Sequence, residues 1–165
     1  GKKYMDKQKD QALIKQVVGE ILEKMGFQAS LEVEAEAEGN EEENFLCKVS
    51  SPEDSHLLIG QHGANLEALQ HLARLVVRRR TDSRLKFTLD INDYRKERNA
   101  TVVEAAKQAA DQAAAEKRTI TLRPMSTYER RLVHLEISKR SDVTSDSVGE
   151  GEERKVAIRP ISSQN

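Results

Sequence analysis

Cysteine, aromatic residues and long apolar runs are all scarce in this chain. The single cysteine, Cys47, excludes an intrachain disulfide. A lone thiol with no framework around it reads as a small buried side chain rather than a nucleophile, in a protein of the cytoplasm. No stretch approaches the roughly 20 apolar residues that a membrane-spanning helix needs, and no charged, then apolar, then small-residue leader opens the sequence as given. The clustered carboxylates that two-metal nucleases use are missing. His56, His62 and His71 lie near one another in sequence, but no cysteine or supporting acid completes a zinc-like pattern. His134, Asp142 and Ser147 supply the residue types of a hydrolytic triad without the strand-to-helix turn that would present the serine. Catalysis, a metal and a cofactor are therefore not expected.

What the chain has in quantity is charge, unevenly spread. Residues 1–55 hold 7 Lys and Arg against 13 Asp and Glu, a net of -6, whereas residues 56–165 hold 20 against 15, a net of +5. The excess is concentrated between Arg74 and Arg98, with 9 basic and 4 acidic residues. A polyanion would find its partner surface in the later part of the chain.

Apolar spacing gives the order of elements. Leu13, Ile14, Val17, Val18, Ile21, Leu22 and Met25 recur at helical spacing before Gly26, which predicts an amphipathic helix over about 7–25. Leu31, Val33, Ala35 and Ala37 alternate with four glutamates, and Phe45, Cys47 and Val49 form a return strand after a turn at Gly39-Asn40. Ser51-Pro52-Glu53-Asp54 reads as a helix start, with Ser51 as cap and Pro52 first in the helix; that helix is short and stops at Gly60. Leu66, Leu69, Leu72, Ala73, Val76 and Val77 give the next helix its buried stripe. Arg74, Arg78, Arg79 and Arg80 gather at its end, where cations also suit the helix dipole. Leu85, Phe87, Leu89 and Ile91 alternate as a third strand.

The second half opens with Asn92-Asp93 as an N-cap pair. It continues as a long alanine-rich helix, with Tyr94, Val102, Val103, Ala105, Ala106, Ala109, Ala110, Ala113 and Ala114 on its stripe, to about Glu116. Ile120 and Leu122 make a short strand ending at Pro124. Ser126-Thr127-Tyr128-Glu129 is a capping box for a helix carrying Arg130, Arg131, Leu132, Val133, His134, Leu135 and Ile137, in which Arg130 and His134 share a face. Val143 to Val148 and Arg154 to Arg159 form a last hairpin around Gly149-Glu150-Gly151.

Between the two helices of the first half lies Ile59-Gly60-Gln61-His62-Gly63. Two glycines three apart let the backbone turn tightly and a ligand approach its peptide groups, and the N–H groups at the start of the following helix favour an anion such as phosphate. In this order of elements, residues about 7–91 resemble the KH domain in its prokaryotic, type II arrangement. The resemblance implies that Ile59, Gly60, Gln61, His62 and Gly63 grip the backbone of about four single-stranded nucleotides. In KH proteins the two central loop positions are often basic. Here they are Gln61, a neutral donor, and His62, a weaker cation than arginine, so a weaker clamp is expected.

Tyr94-Arg95, the alanine helix, Leu122-Arg123-Pro124-Met125, Glu129 to His134 and Ser147 to Gly151 resemble the R-3-H domain over residues about 93–160. That family is associated with single-stranded nucleic acid, which carries over Arg130 and His134 as contacts; Arg123, Arg131 and Arg154 are cations close to the motif. The expected fold is α+β: a type II KH domain (α-β-β-α-α-β, residues 1–91) followed by a small R-3-H domain (α-β-α-β-β, residues 92–165).

Joined in this order, the two domains look like the Jag family of bacterial RNA-binding proteins, named for association with the SpoIIIJ membrane insertase. The resemblance implies cytoplasmic, non-enzymatic binding of single-stranded RNA, with DNA left open, and links to cell elongation, division or sporulation. It also implies pairing with a separate small KH protein or with itself. Members carry a further N-terminal domain and linker, which implies that this sequence is a fragment or a short form. One RNA strand would run from the glycine loop over the third strand toward Arg130 and His134, with Arg78, Arg79, Arg80 and Arg95 on phosphates. The joint at Ile91 to Asp93 is too short for a free linker, so the domains are expected to move together. With only six aromatic residues, half of them in apolar stripes, base stacking at about 1–3 kcal/mol each is not expected to dominate. The alternative is a protein-docking module that keeps the KH architecture with weak nucleic-acid affinity, a reading favoured by Gln61, His62 and the acidic first hairpin.

Overall fold

The computed structural model describes residues 2–36, 44–82 and 84–161. The chain divides into two compact units, Gly1–Arg95 and Lys96–Asn165. The order of elements is the α+β order expected from the sequence. In the first unit α1 (Lys2–Lys24), β1 (Ser30–Glu36), β2 (Asn44–Ser50), α2 (Ser55–Ile59), a 3-10 turn at Gln61–Gly63, α3 (Ala64–Arg80) and β3 (Lys86–Ile91) follow one another.

Helix α1 buries Ile14, Val17, Val18 and Leu22. It ends in a hydrogen-bonded glycine cap: Gly26, at φ +86°, donates to Glu23 O at 3.0 Å, and the Phe27 N–H donates to Leu22 O at 2.9 Å. Met25 lies past the last helical turn and is 52% exposed, outside the stripe that spacing assigned to it. The sheet has the order β1-β2-β3, with β1 antiparallel to β2 and β2 parallel to β3. Phe45, Cys47 and Val49 of β2 and Phe87, Leu89 and Ile91 of β3 are buried against α1 and α3. The turn expected at Gly39-Asn40 lies outside the described residues.

Three local readings are corrected. Helix α2 begins at Ser55, after Asp54 in a left-handed conformation; Ser51 is not its cap, because its hydroxyl donates to Glu53 O at 2.8 Å inside the preceding turn. Leu72 is 47% exposed, since it falls to one side of the stripe that Leu66, Leu69, Ala73 and Val77 define. Asn92 and Asp93, both at positive φ, do not cap the helix that follows. Asn92 instead bonds Ser51 through its side chain, accepting at 2.9 Å and donating at 2.8 Å, and so ties the end of β3 to the end of β2. The cap comes from buried Asp90, whose Oδ1 accepts from the Arg95 N–H at 2.9 Å.

The next helix, α4 (Tyr94–Glu116), contributes most of its length to the second unit, followed by β4 (Ile120–Thr121), α5 (Thr127–Ile137), β5 (Val143–Val148) and β6 (Lys155–Pro160). Ala106, Ala110 and Ala113 are fully buried with Val133 and Ile137 of α5 and Val156 and Ile158 of β6, the small side chains letting these elements close on α4. Tyr94 packs against the core of the first unit rather than on this stripe. β6 is central, antiparallel to both β4 and β5. The capping box is formed as the spacing requires: Glu129 N–H donates to Ser126 Oγ at 3.2 Å and Ser126 N–H to Glu129 Oε2 at 2.9 Å. Leu135, read as apolar packing, is 54% exposed, because Val133 and Ile137 take the core-facing side of α5.

Cys47 has no exposed surface, and burial pushes its thiol up to about 12. In the native protein it resists iodoacetamide at pH 8 and reacts in full in urea; rapid native alkylation, followed by mass spectrometry, would contradict this packing.

Candidate nucleic-acid interface

Helix α2 stops where Gly60 takes φ 71° and ψ -179°. A Cβ at Gly60 would stand 2.5 Å from Cγ of Asn65, whose amide is held in place by donating to Leu57 O at 2.7 Å. Gly63, buried at φ +77°, has the Tyr94 ring beneath it, where a Cβ would meet Cε1 at 3.0 Å. Gly60 therefore disfavours a side chain twice, by backbone conformation and by space, whereas at Gly63 conformation is the obstacle and the Tyr94 ring would have to give by a few tenths of an ångström. Between them His62 is itself left-handed, at φ 53°, and the side chains of Gln61 and His62 are exposed while Ile59 packs on the core. No side chain caps the start of α3; the N–H of Ala64, its first residue, donates instead to Gln61 O within the 3-10 turn, and that of Gly63 to Gly60 O at 3.3 Å.

The arginines at the other end of α3 do not join this loop. At 1.5 Å rise per residue, Arg78 is about 22 Å from Gly63 along the helix. Arg78 and Arg79 are exposed there, whereas Arg80 donates to Glu20 of α1 at 2.8 Å and ties the two helices together. A cleft of about 550 Å³ opens beside them, with Arg74, Arg78, Arg84 and Lys86 around a floor of Val77 and Phe87. Arg84 and Lys86 were legible in the sequence only as the outward positions of a strand.

Arg95, expected on phosphate, is built into the edge of β3. Its Nε donates to Leu89 O at 2.7 Å and its second amino group to Gln70 Oε1 at 3.1 Å, while the same Gln70 oxygen accepts from the Leu89 N–H at 2.9 Å. Arg74 Nε donates to Phe87 O at 2.9 Å and Asp90 Oδ1 accepts from the Ile91 N–H at 2.9 Å. Burial, and then the like charge of Arg95, pull the Arg74 guanidinium below its ordinary value. Four successive backbone groups on the outer side of β3 are thus already satisfied, so a base laid over this strand meets side chains rather than free peptide groups.

In the second unit the loop before α5 contains Arg123, is held by the Arg130 side chain and bonds the backbone of Arg154. Met125 N–H donates to Arg154 O at 3.1 Å, Arg130 donates to Met125 O at 2.7 Å and to Thr127 Oγ1 at 3.0 Å, and Arg123 stands exposed two residues earlier. Arg130 thus holds the loop as well as carrying charge, while Arg131 and Arg154 are exposed. His134 lies one turn along α5 with both ring nitrogens against hydroxyls of β5, Nδ1 at 2.7 Å from Ser145 Oγ and Nε2 at 2.9 Å from Ser147 Oγ. No acid orients the ring: the Asp142 carboxylate is taken by Arg140, at 2.9 and 2.8 Å. Glu129 is turned inward, with Arg98 Nε donating to it at 2.6 Å.

This construction defines a class, a glycine-loop KH domain followed by an Arg-x-x-x-His domain. The family model for the KH domain of KhpA/KhpB matches residues 13–91, and that for the R-3-H domain matches residues 100–160. The two domains stand in the order found in relatives of the Jag family. Similar proteins include the RNA-binding protein KhpB of Clostridium symbiosum, 33% identical over 84% of this chain and 63% of that protein. KhpB of Bacillus subtilis is 35% identical over 64% and 52%, and KhpB of Lactiplantibacillus plantarum 36% identical over 62% and 32%. The matches span about a third to two thirds of the length of these relatives.

Gly60→Ala is expected to destabilise the first unit by about 1–3 kcal/mol, through left-handed strain and displacement of Asn65. Gln61→Ala, at an exposed position, should stay within about 0.5 kcal/mol. Urea titrations followed by circular dichroism would check the pair, and equal stability of the two variants would refute this account of the loop.

Proposed function

We propose that the chain binds single-stranded RNA without catalysing a reaction, through a surface on each unit. The observation that carries this reading is the Gly60–Gly63 turn, where two glycines at positive φ hold exposed Gln61 and His62 at the start of α3. The exposed cations Arg78 and Arg79 in the first unit and Arg123, Arg131 and Arg154 in the second supply phosphate contacts. Relatives carrying the name RNA-binding protein support the choice of polymer. No described helix is long and apolar enough to cross a membrane. A cytoplasmic regulator acting on cell elongation, division or sporulation, paired with a small KH protein, is the setting that the family resemblance supports. A second reading, protein docking, is favoured by Leu57, Leu72 and Leu75, which are 54%, 47% and 48% exposed on α2 and α3.

Fluorescence anisotropy with a labelled 12-nucleotide single-stranded RNA tests the proposal. With about four to six phosphate contacts, log K should fall with log salt at a slope of about -3 to -4. Gln61→Asp/His62→Asp and Arg131→Ala/Arg154→Ala should each weaken binding about tenfold or more, a loss of about 1.4 kcal/mol. Absence of binding at low salt by the folded protein would sink the RNA reading and favour docking.

A further inference from the structure

We propose that Tyr128 is a stacking platform for one base of the bound single strand, a contact that rests on the RNA-binding reading above. Among the aromatic side chains described, Phe45 and Phe87 are buried, Phe27 and Tyr94 pack on the core of the first unit, and Tyr128 alone is exposed, at 48%. Two features of its surroundings suit this ring to a base.

The first is that the ring is oriented. The phenolic oxygen of Tyr128 accepts from Asn99 Nδ2 at 3.3 Å, so the polar end is tethered to α4 while the ring stays in solvent. A ring fixed in this way loses little rotamer freedom when a base settles on it. The second is the charge and chemistry along the same face of α5. Arg131 follows at one turn and Leu135 at two, both exposed, the latter at 54%. The loop leading into this turn bears exposed Arg123 and bonds the backbone of Arg154. The acid adjacent in sequence, Glu129, is turned inward to Arg98 and the Ser126 backbone. An aromatic face with Arg131 one turn on, exposed Arg123 in the loop before it and no exposed carboxylate in its own turn suits a nucleotide, with the base on the ring and the phosphates on the arginines. Stacking accepts any base, so the contact adds affinity without reading sequence.

The chain has no tryptophan, so Tyr128→Trp places a single reporter at the proposed contact. Titration with a 12-nucleotide oligouridine should quench and shift the emission of that indole along the binding curve. In anisotropy titrations Tyr128→Ala should weaken binding about 5- to 100-fold, the range expected for one stacked base, and Tyr128→Phe should stay within about twofold of the parent. Circular dichroism and urea titration of each variant separate loss of fold from loss of contact. Parent protein that binds while Tyr128→Ala binds equally well and the indole emission stays unmoved would overturn the stacking proposal and leave the RNA reading standing. Parent protein that fails to bind at all would overturn both.

Discussion

Parallel pairing of β2 with β3 is the constraint on which the first unit depends. Two parallel neighbours cannot be closed by a tight hairpin, so the chain must leave one end of the sheet and return to the other. Here α2, the Gly60–Gly63 turn and α3 make that return. The reversal between the two helices is so tight that Asn65 occupies the space beside Gly60, and Tyr94 the space beside Gly63. The exposure of Gln61 and His62 is therefore a by-product of connectivity: the backbone reverses with its glycines against protein and its two side-chain-bearing residues toward solvent.

Arginine serves two distinct purposes in the molecule. Arg74, Arg80, Arg95, Arg98 and Arg130 are held by carbonyls, hydroxyls or carboxylates of the fold, joining a helix to a strand, to a loop or to another helix. Arg78, Arg79, Arg123, Arg131 and Arg154 stand exposed. A guanidinium with five fixed donors is well suited to the first purpose, and a basic residue count alone overstates the charge available to an anion.

That distinction marks the limit of what was legible in the sequence. Element order, the glycine cap of α1, the Ser126/Glu129 box and the alanine face of α4 all follow from spacing, because each depends on residues within a turn or two of one another. What spacing missed depends on distant partners. Asn92 and Asp93 have the composition of a cap, but Asn92 is drawn to Ser51 across the sheet, and Asp90, at the end of the strand before them, takes the capping role. Arg95 follows the third strand like any solvated cation, yet Leu89 and Gln70 claim it. Tyr128 reads as a neutral member of a capping box, and only the buried or packed state of the other aromatic side chains described makes its exposure informative. Leu72 and Leu135 satisfy helical periodicity loosely, and fall outside the faces that the better-placed residues define.

The sealed edge of β3 also bears on how the protein behaves when crowded. An edge strand is a template for another chain, and sheets that grow by adding strands end as aggregates. On one side of this sheet, Arg74, Gln70, Arg95 and Asp90 occupy the donors and acceptors that an incoming strand would need. On the other side, β1 carries Glu32, Glu34 and Glu36 on its exposed face, so a second copy laid alongside would bring carboxylate against carboxylate. Hydrogen-bond occupancy at one border and repulsion at the other hold this sheet at three strands.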